Sequence, residues 1–133
     1  MSEKLVYLSQ EWAAEVKKRL QAELTPDKMN NLTSSMNNRY ANCKNGENMY
    51  FYVAFENGAV SAVETGIGDG PAAEFTIQGD YAVFAQISQA TLGAQRALMT
   101  GQLKLKGNMV KALKLASLVD RLNKIIATVP AEF

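Results

Sequence analysis

The sequence has no histidine among its 133 residues. That absence removes Ser–His–Asp and Cys–His catalysis, imidazole-held zinc or iron, and the commonest general base near neutral pH. One cysteine, Cys43, leaves no internal disulfide and no thiolate metal cage. Its one neighbouring cation is Lys44, so it reads as a small strand or loop residue rather than a redox centre. No uninterrupted apolar run approaches ~18 residues, so nothing is expected to span a membrane. The opening stretch MSEKLVYLSQEW lacks the apolar segment of a secretory leader, and the expected location is the cytoplasm. Between Phe84 and Phe133 there is no aromatic residue. The basic end of the chain therefore lacks stacking platforms for single strands, and no nucleic acid is expected as a partner.

What is present suits a globular protein: 47% hydrophobic and 20% charged residues. The length predicts one domain, 1–133, burying roughly two-thirds of the surface its unfolded chain exposes. Net charge is +1 but uneven. Residues 96–124 carry Arg96, Lys104, Lys106, Lys111, Lys114, Arg121 and Lys124 against Asp120 alone. That imbalance points to an anionic partner surface (phospholipid headgroups, nucleic acid or an acidic protein) or to a solvated helix face that needs lysine for solubility. Lys111, Lys114 and Lys124 are the candidates for transient docking on an anionic membrane.

Trp12, Val16, Leu20 and Leu24 fall four apart, one stripe of a helix that Ser9 can cap and Thr25-Pro26-Asp27 ends. Leu32, Ser34, Met36, Asn38 and Tyr40 alternate with polar residues and predict an edge strand, and Lys44-Asn45-Gly46 a turn. Residues 49–56 form a β-prone run that meets Asn57-Gly58, the preferred pair for a two-residue type I′ turn, and residues 59–65 return. That turn pairs Phe55 with Val60 and Val53 with Ala62. It places Phe51, Val53, Phe55, Val60 and Ala62 on one face and Tyr50, Tyr52, Ser61, Val63 and Thr65 on the other. The glycine-rich stretch 66–71 ends in Pro71 and leads into another alternating strand around Phe75 and Ile77. A phosphate loop would open directly into a helix, so an inter-strand loop is expected.

Asp80 can cap a short helix over 81–87, and Ser88 a second over 89–99 that Thr100-Gly101 ends. Residues 103–106 alternate between apolar and polar and read as a strand before Gly107. Asn108 then caps one long helix over 109–128, stopped before Pro130. The order α-β-β-β-β-α-α-β-α predicts an α+β fold: a mainly antiparallel sheet with helices on one face, leaving room for a cavity between the layers. In the last helix Met109, Leu113 and Ala116 form one apolar sector, and Leu115, Leu118, Val119, Leu122 and Ile126 another. The combined arc is wider than a surface helix needs. Glu64, Asp69, Glu74 and Asp80 show no spacing that fixes a metal or an acid–base pair, and the serines lack a base. No enzyme activity, metal or cofactor is expected.

The segment Gln95-Arg96-Ala97-Leu98-Met99-Thr100-Gly101-Gln102-Leu103-Lys104-Leu105-Lys106-Gly107-Asn108-Met109, with Ala112-Leu113-Lys114-Leu115 after it and Phe75-Thr76-Ile77 and Asp80 before it, resembles the sterol carrier protein type-2 (SCP2-like sterol-binding domain) family. The leading Ser-x-Glu-Trp helix resembles that of stand-alone prokaryotic members. The resemblance implies a five-stranded sheet covered by helices, with an apolar tunnel between the layers. It implies non-catalytic binding and transfer or presentation of a fatty acid, acyl-CoA, phospholipid or sterol-like lipid. The ending Ala131-Glu132-Phe133 departs from a Ser-Lys-Leu-type peroxisomal address, so that compartment does not carry over. Phe51, Val53, Phe55, Phe75, Ile77, Phe84, Ile87, Leu98, Met99, Leu103, Leu105, Met109 and Leu113 are the expected lipid-facing set, Met99 and Met109 as adaptable wall. The expected state is a monomer or weak homodimer. The competing reading is a scaffold or dimerisation module without bound lipid, contacting partners through Tyr50 and Tyr52.

Overall fold

The computed structural model describes residues 4–44, 46–89 and 91–133, with only the backbone described at Ala116. Elements run in the order β1 (Leu5–Val6), α1 (Gln10–Glu23), β2 (Ser34–Ala41), β3 (Met49–Glu56), β4 (Ala59–Ile67), β5 (Phe75–Asp80), α2 (Tyr81–Ser88), α3 (Ala94–Met99), β6 (Leu103–Lys106), α4 (Met109–Lys114), α5 (Ala116–Ile126) and β7 (Ala131–Glu132). Five strands form one sheet in the order β4-β3-β2-β5-β6. β2 and β5 run parallel and the other neighbours antiparallel. The expected α+β architecture is present.

The α1 stripe is buried as its spacing predicts. Ser9 Oγ accepts from the Trp12 backbone N–H at 3.2 Å, and Trp12, Val16 and Leu20 face inward. The Trp12 ring meets Phe51 at 5.0 Å between centroids and the edge of Tyr7 at 4.8 Å. This cluster, with Leu118, Leu122 and Ile126 of α5, is the dense half of the core.

β2 is not an edge strand: it is the middle strand of the sheet. Two of its polar residues, Asn37 and Arg39, bond a covering loop. Asn37 is fully buried, and its Nδ2 donates to the Asp69 carbonyl at 2.6 Å and to the Pro71 carbonyl at 3.2 Å. Arg39 Nε donates to the Asp69 carbonyl at 3.2 Å. The glycine-rich stretch is therefore folded back over the outer face of β2. Gly70, at φ 72°, lies so close to Tyr50 that a Cβ there would sit 2.4 Å from the ring.

The hairpin turn is where Asn57-Gly58 predicts it, with φ of 51° and 83° at the two turn residues. Phe55 pairs with Val60 as expected. The register then shifts between Ala54 and Phe55, so Val53 faces Val63 instead of Ala62, and Phe51 faces Thr65. A bulge adds one residue to β4, and a one-residue slip exchanges the two faces of a strand. Val63 and Thr65 thus join the inner face, and Ala62 leaves it. Thr65 Oγ1 is buried there, bonded to the carbonyls of Leu8 at 3.2 Å and Tyr50 at 2.9 Å. β4 also runs to Ile67 rather than stopping at Thr65.

Three helix expectations change. Asp80 stands at the N-cap of α2, but its side chain makes no cap bond; Oδ1 accepts from Asn42 Nδ2 at 2.9 Å. Ser88 ends α2, and its hydroxyl bonds the Tyr7 hydroxyl at 2.8 Å, so α3 starts only at Ala94 after Gly93. The long final helix is two helices. At Leu115 the backbone N–H is shared between the Lys111 and Ala112 carbonyls, both at 3.1 Å, which tightens the last turn of α4 before α5 begins. Neither glycine nor proline marks this break. The parts of the expected elements at Asn45, Ala90 and the Ala116 side chain lie outside the described residues.

The end of α3 follows its glycine. Gly101, at φ 79°, bonds the Leu98 carbonyl and Gln102 bonds the Ala97 carbonyl, the paired bonds of a Schellman ending. β1 and β7, neither expected, form a separate parallel pair: Leu5 N–H donates to the Pro130 carbonyl and Tyr7 N–H to the Glu132 carbonyl, each at 3.0 Å. Two-residue strands carry no periodicity to read.

Candidate functional site

Between the inner face of the sheet and α3, α4 and α5 lies an apolar cavity of about 260 Å³. Its floor is Met36, Val53, Phe55, Phe75, Ile77 and Leu105, one inner-face residue after another across four adjacent strands. Cross-strand pairing sets that order: Met36 stands beside Val53 and Phe75, and Ile77 beside Leu105. The roof is Leu98 and Met99 from α3, Met109 and Leu113 from α4, Leu115, and Leu118, Val119 and Leu122 from α5. Met29 and Leu32 close one side. The polar members of the wall are Ser34, Ser35, Gln95 and Asp120.

The roof is uneven. Leu118 and Leu122 are buried, whereas Met99 is 79% exposed, Met109 51% and Leu113 57%. Side chains that line a cavity and also face solvent mark its mouth, which opens between α3 and α4. α4 has no buried residue.

At one edge of this mouth stands a charged bridge. Lys111 Nζ of α4 donates to Glu74 Oε2 at 2.5 Å, and Ser34 Oγ donates to Glu74 Oε1 at 2.5 Å. The Lys111 bond, then the Ser34 bond, hold the Glu74 carboxyl below its ordinary pKa. Elsewhere the shifted groups are in the core. Burial pushes the Tyr7 and Tyr40 hydroxyls up, where they bond each other at 3.0 Å, and burial also raises the Cys43 thiol. No group of three or more His, Cys, Asp or Glu among the described residues could hold a metal ion. No helix among them is long and apolar enough to cross a membrane.

Of the thirteen residues expected to face a lipid, nine line the cavity: Val53, Phe55, Phe75, Ile77, Leu98, Met99, Leu105, Met109 and Leu113. Phe51, Phe84, Ile87 and Leu103 do not; they belong to the packed core. Phe51 is taken by Trp12, and Phe84 lies 4.2 Å from the Tyr40 ring. These four are inward-facing as expected, but the layers are closed above them. Met29, Leu32 and Met36 line the cavity from outside the expected set. Reading β2 as an edge strand removes Met36 from the floor, and Met29 sits in an asparagine-rich turn without periodicity. Lys111 and Lys114 stand on α4, and the break at Leu115 places Lys124 on α5. Tyr50 is covered by its own loop at Gly70 and is half-buried, which weakens it as a contact surface.

The sequence model of the SCP-2 sterol transfer family matches residues 13–120. A crystal structure of sterol carrier protein 2 superposes with TM-score 0.79 at 20% identity, over 92% of this chain and 98% of that one. The solution structure of TT1886 from Thermus thermophilus, described as possibly a sterol carrier protein, gives 0.74 at 20% identity, over 98% and 94%. Palmitated SCP2L2 from Aedes aegypti gives 0.59 at 21% identity, over 84% and 94%. At these identities the structures share the fold. No curated protein matches the sequence.

Proposed function

The chain belongs to the SCP-2 sterol transfer family, and from that premise we propose that it binds one lipid-like molecule in the cavity under α3–α5 and carries or presents it without covalent chemistry. The observation that supports this is the continuous apolar wall from Phe55 to Leu122, open to solvent at Met99, Met109 and Leu113. Each methylene moved from water into such a wall gains about 0.8 kcal/mol, so ten give ~8 kcal/mol before ordering costs. No titrating group is needed for that affinity. The volume lies just below the ~300–1,000 Å³ of common small-molecule sites. A single flexible chain suits it better than a large rigid ring system, which would require α4 to move.

Residues 1–133 act as one binding unit in this reading. Ligand insoluble in water must be collected from and delivered to a membrane, and the cations around the mouth, Lys111 and Lys114 above all, supply the encounter surface. Lys124, beyond the break, contributes only long-range attraction.

The test is native mass spectrometry and organic extraction of freshly purified protein, followed by displacement of a fluorescent fatty acid from the delipidated chain. Bound lipid and saturable displacement are expected, both weakened by Phe55→Asp or Leu105→Asp. A chain that yields no lipid and binds no fatty acid would leave the cavity as a packing defect and return the scaffold reading.

A further inference from the structure

α4 combines three features that the rest of the described surface does not. It is six residues long and buries none of them. Its apolar residues are turned outward, with Val110 63% exposed beside Met109 and Leu113, and Met99 of α3 adjoins them at the mouth. Its charged tie to the sheet, among the described residues, is the bond from Lys111 to Glu74, made where both side chains are still partly in water. Residues 94–119 supply Arg96, Lys104, Lys106, Lys111 and Lys114 and no carboxylate. Asp120 of α5 is a second carboxylate in the cavity wall, but Glu74 is the one that Lys111 holds, in place of an external anion.

We propose that α4 is a latch over the cavity mouth which an anionic bilayer releases: Met99, Met109, Val110 and Leu113 settle into the interface, lipid phosphates take Lys111 from Glu74, and α4 lifts to let ligand pass. The proposal rests on the lipid-carrier reading for the ligand but not for the surface. A short helix with apolar residues interleaved with lysines fits the boundary between headgroups and acyl chains. A second copy of the chain fits poorly, since a two-fold contact through α4 gathers Lys111 and Lys114 of both copies into one interface. Ser34 keeps its bond to Glu74 after Lys111 leaves, so the carboxylate is not stranded.

The exchange is selective because both partners are exposed. An ion pair in high dielectric holds weakly, and a charged surface offering many phosphates outcompetes one carboxylate. A phosphatidylcholine surface pairs each phosphate with a choline cation and has no net negative potential to draw Lys111 away, so the latch stays shut on it.

The test uses phosphatidylcholine vesicles with and without phosphatidylserine. Three quantities are read: co-sedimentation, stopped-flow transfer of a preloaded fluorescent fatty acid, and amide exchange of α4 without vesicles. Wild type is expected to bind and deliver only to the serine-containing vesicles, less so at high salt. Val110→Asp, at an exposed site outside the cavity wall, should abolish co-sedimentation at unchanged melting temperature. Lys114→Gln should weaken it about fivefold. Glu74→Gln should speed α4 exchange but not α5 exchange, and should raise delivery to neutral vesicles toward the anionic rate. Wild-type co-sedimentation by Val110→Asp overturns the surface, as does a self-associated wild type that Val110→Asp turns monomeric. Unchanged α4 exchange and unchanged lipid preference in Glu74→Gln overturn the latch. If no variant binds fatty acid in solution, the carrier reading fails, and the surface and latch are decided by co-sedimentation and exchange.

Discussion

α4 and α5 are separated by one residue, Leu115, and both are rich in leucine, valine or isoleucine. α5 buries Leu118, Leu122 and Ile126, Leu122 to 2% exposure. α4 buries nothing and leaves Met109, Val110 and Leu113 more than half exposed. The difference does not lie in hydrophobicity but in what stands opposite. α5 packs on α1, whose Trp12–Val16–Leu20 stripe fills the space beneath it. α4 lies over the cavity and is tied to the sheet side by the Lys111–Glu74 bond. An apolar helix over a cavity is available for a partner; the same residues over a filled core are scaffold.

The sharpest way to break that comparison is a pair of charge insertions. Leu122→Asp buries an unpaired carboxylate and should cost more than ~4 kcal/mol, enough to unfold the chain, whereas Val110→Asp should stay within about 0.5 kcal/mol in urea unfolding. Leu103→Asp, in the closed core, should resemble Leu122→Asp, with Leu105→Asp in the cavity floor milder. Truncation is gentler: Leu122→Ala should lose about 2–5 kcal/mol, and Leu113→Ala under ~1 kcal/mol. Equal losses would mean that α4 is core after all. Next comes ligand. Fatty acid at about a hundred times its Kd should stabilise by about 2.7 kcal/mol in calorimetry. The accompanying gain in amide protection should be larger in α4 than in α5. Smallest is the effect of acid. Lys111 holds the Glu74 carboxyl below its ordinary pKa, so the pair's contribution is complete above the usual carboxylate range and fades as pH falls through the depressed value. α4 exchange should quicken there before global unfolding begins, with α5 unaffected; simultaneous loosening of both would sink the assignment.

The same contrast explains what could be read before the structure. Wherever a residue's neighbours lie on its own element, the pattern sufficed: the Trp12–Val16–Leu20 stripe, the Asn57-Gly58 turn and the glycine that ends α3. Wherever the deciding partner is far along the chain, it did not. Asn37 looks solvent-bound until Asp69 and Pro71 arrive to accept its protons. Val63 and Thr65 exchange faces because of one bulge residue that no alternation reveals. The split at Leu115 runs through an unbroken stretch of good helix formers, Ala112 to Ala116. For the cavity, the inward direction of side chains was legible, but not which part of the interlayer space is closed. Phe51 and Phe84 each meet an aromatic ring, of Trp12 and Tyr40, whereas Phe55 and Phe75 line the cavity.

The parallel pair of β1 and β7 has a mechanical consequence. Because the two strands point the same way, the chain enters β1 at one end of the pair and leaves β7 at the other. Tension applied through residues 4 and 133 runs along the strands and loads both backbone bonds, Leu5 to Pro130 and Tyr7 to Glu132, in shear at the same moment. An antiparallel pair with its ends side by side would peel one bond at a time. Two short strands thus join α1 and α5 with a rivet rather than a zip, and pulling should break it as one event.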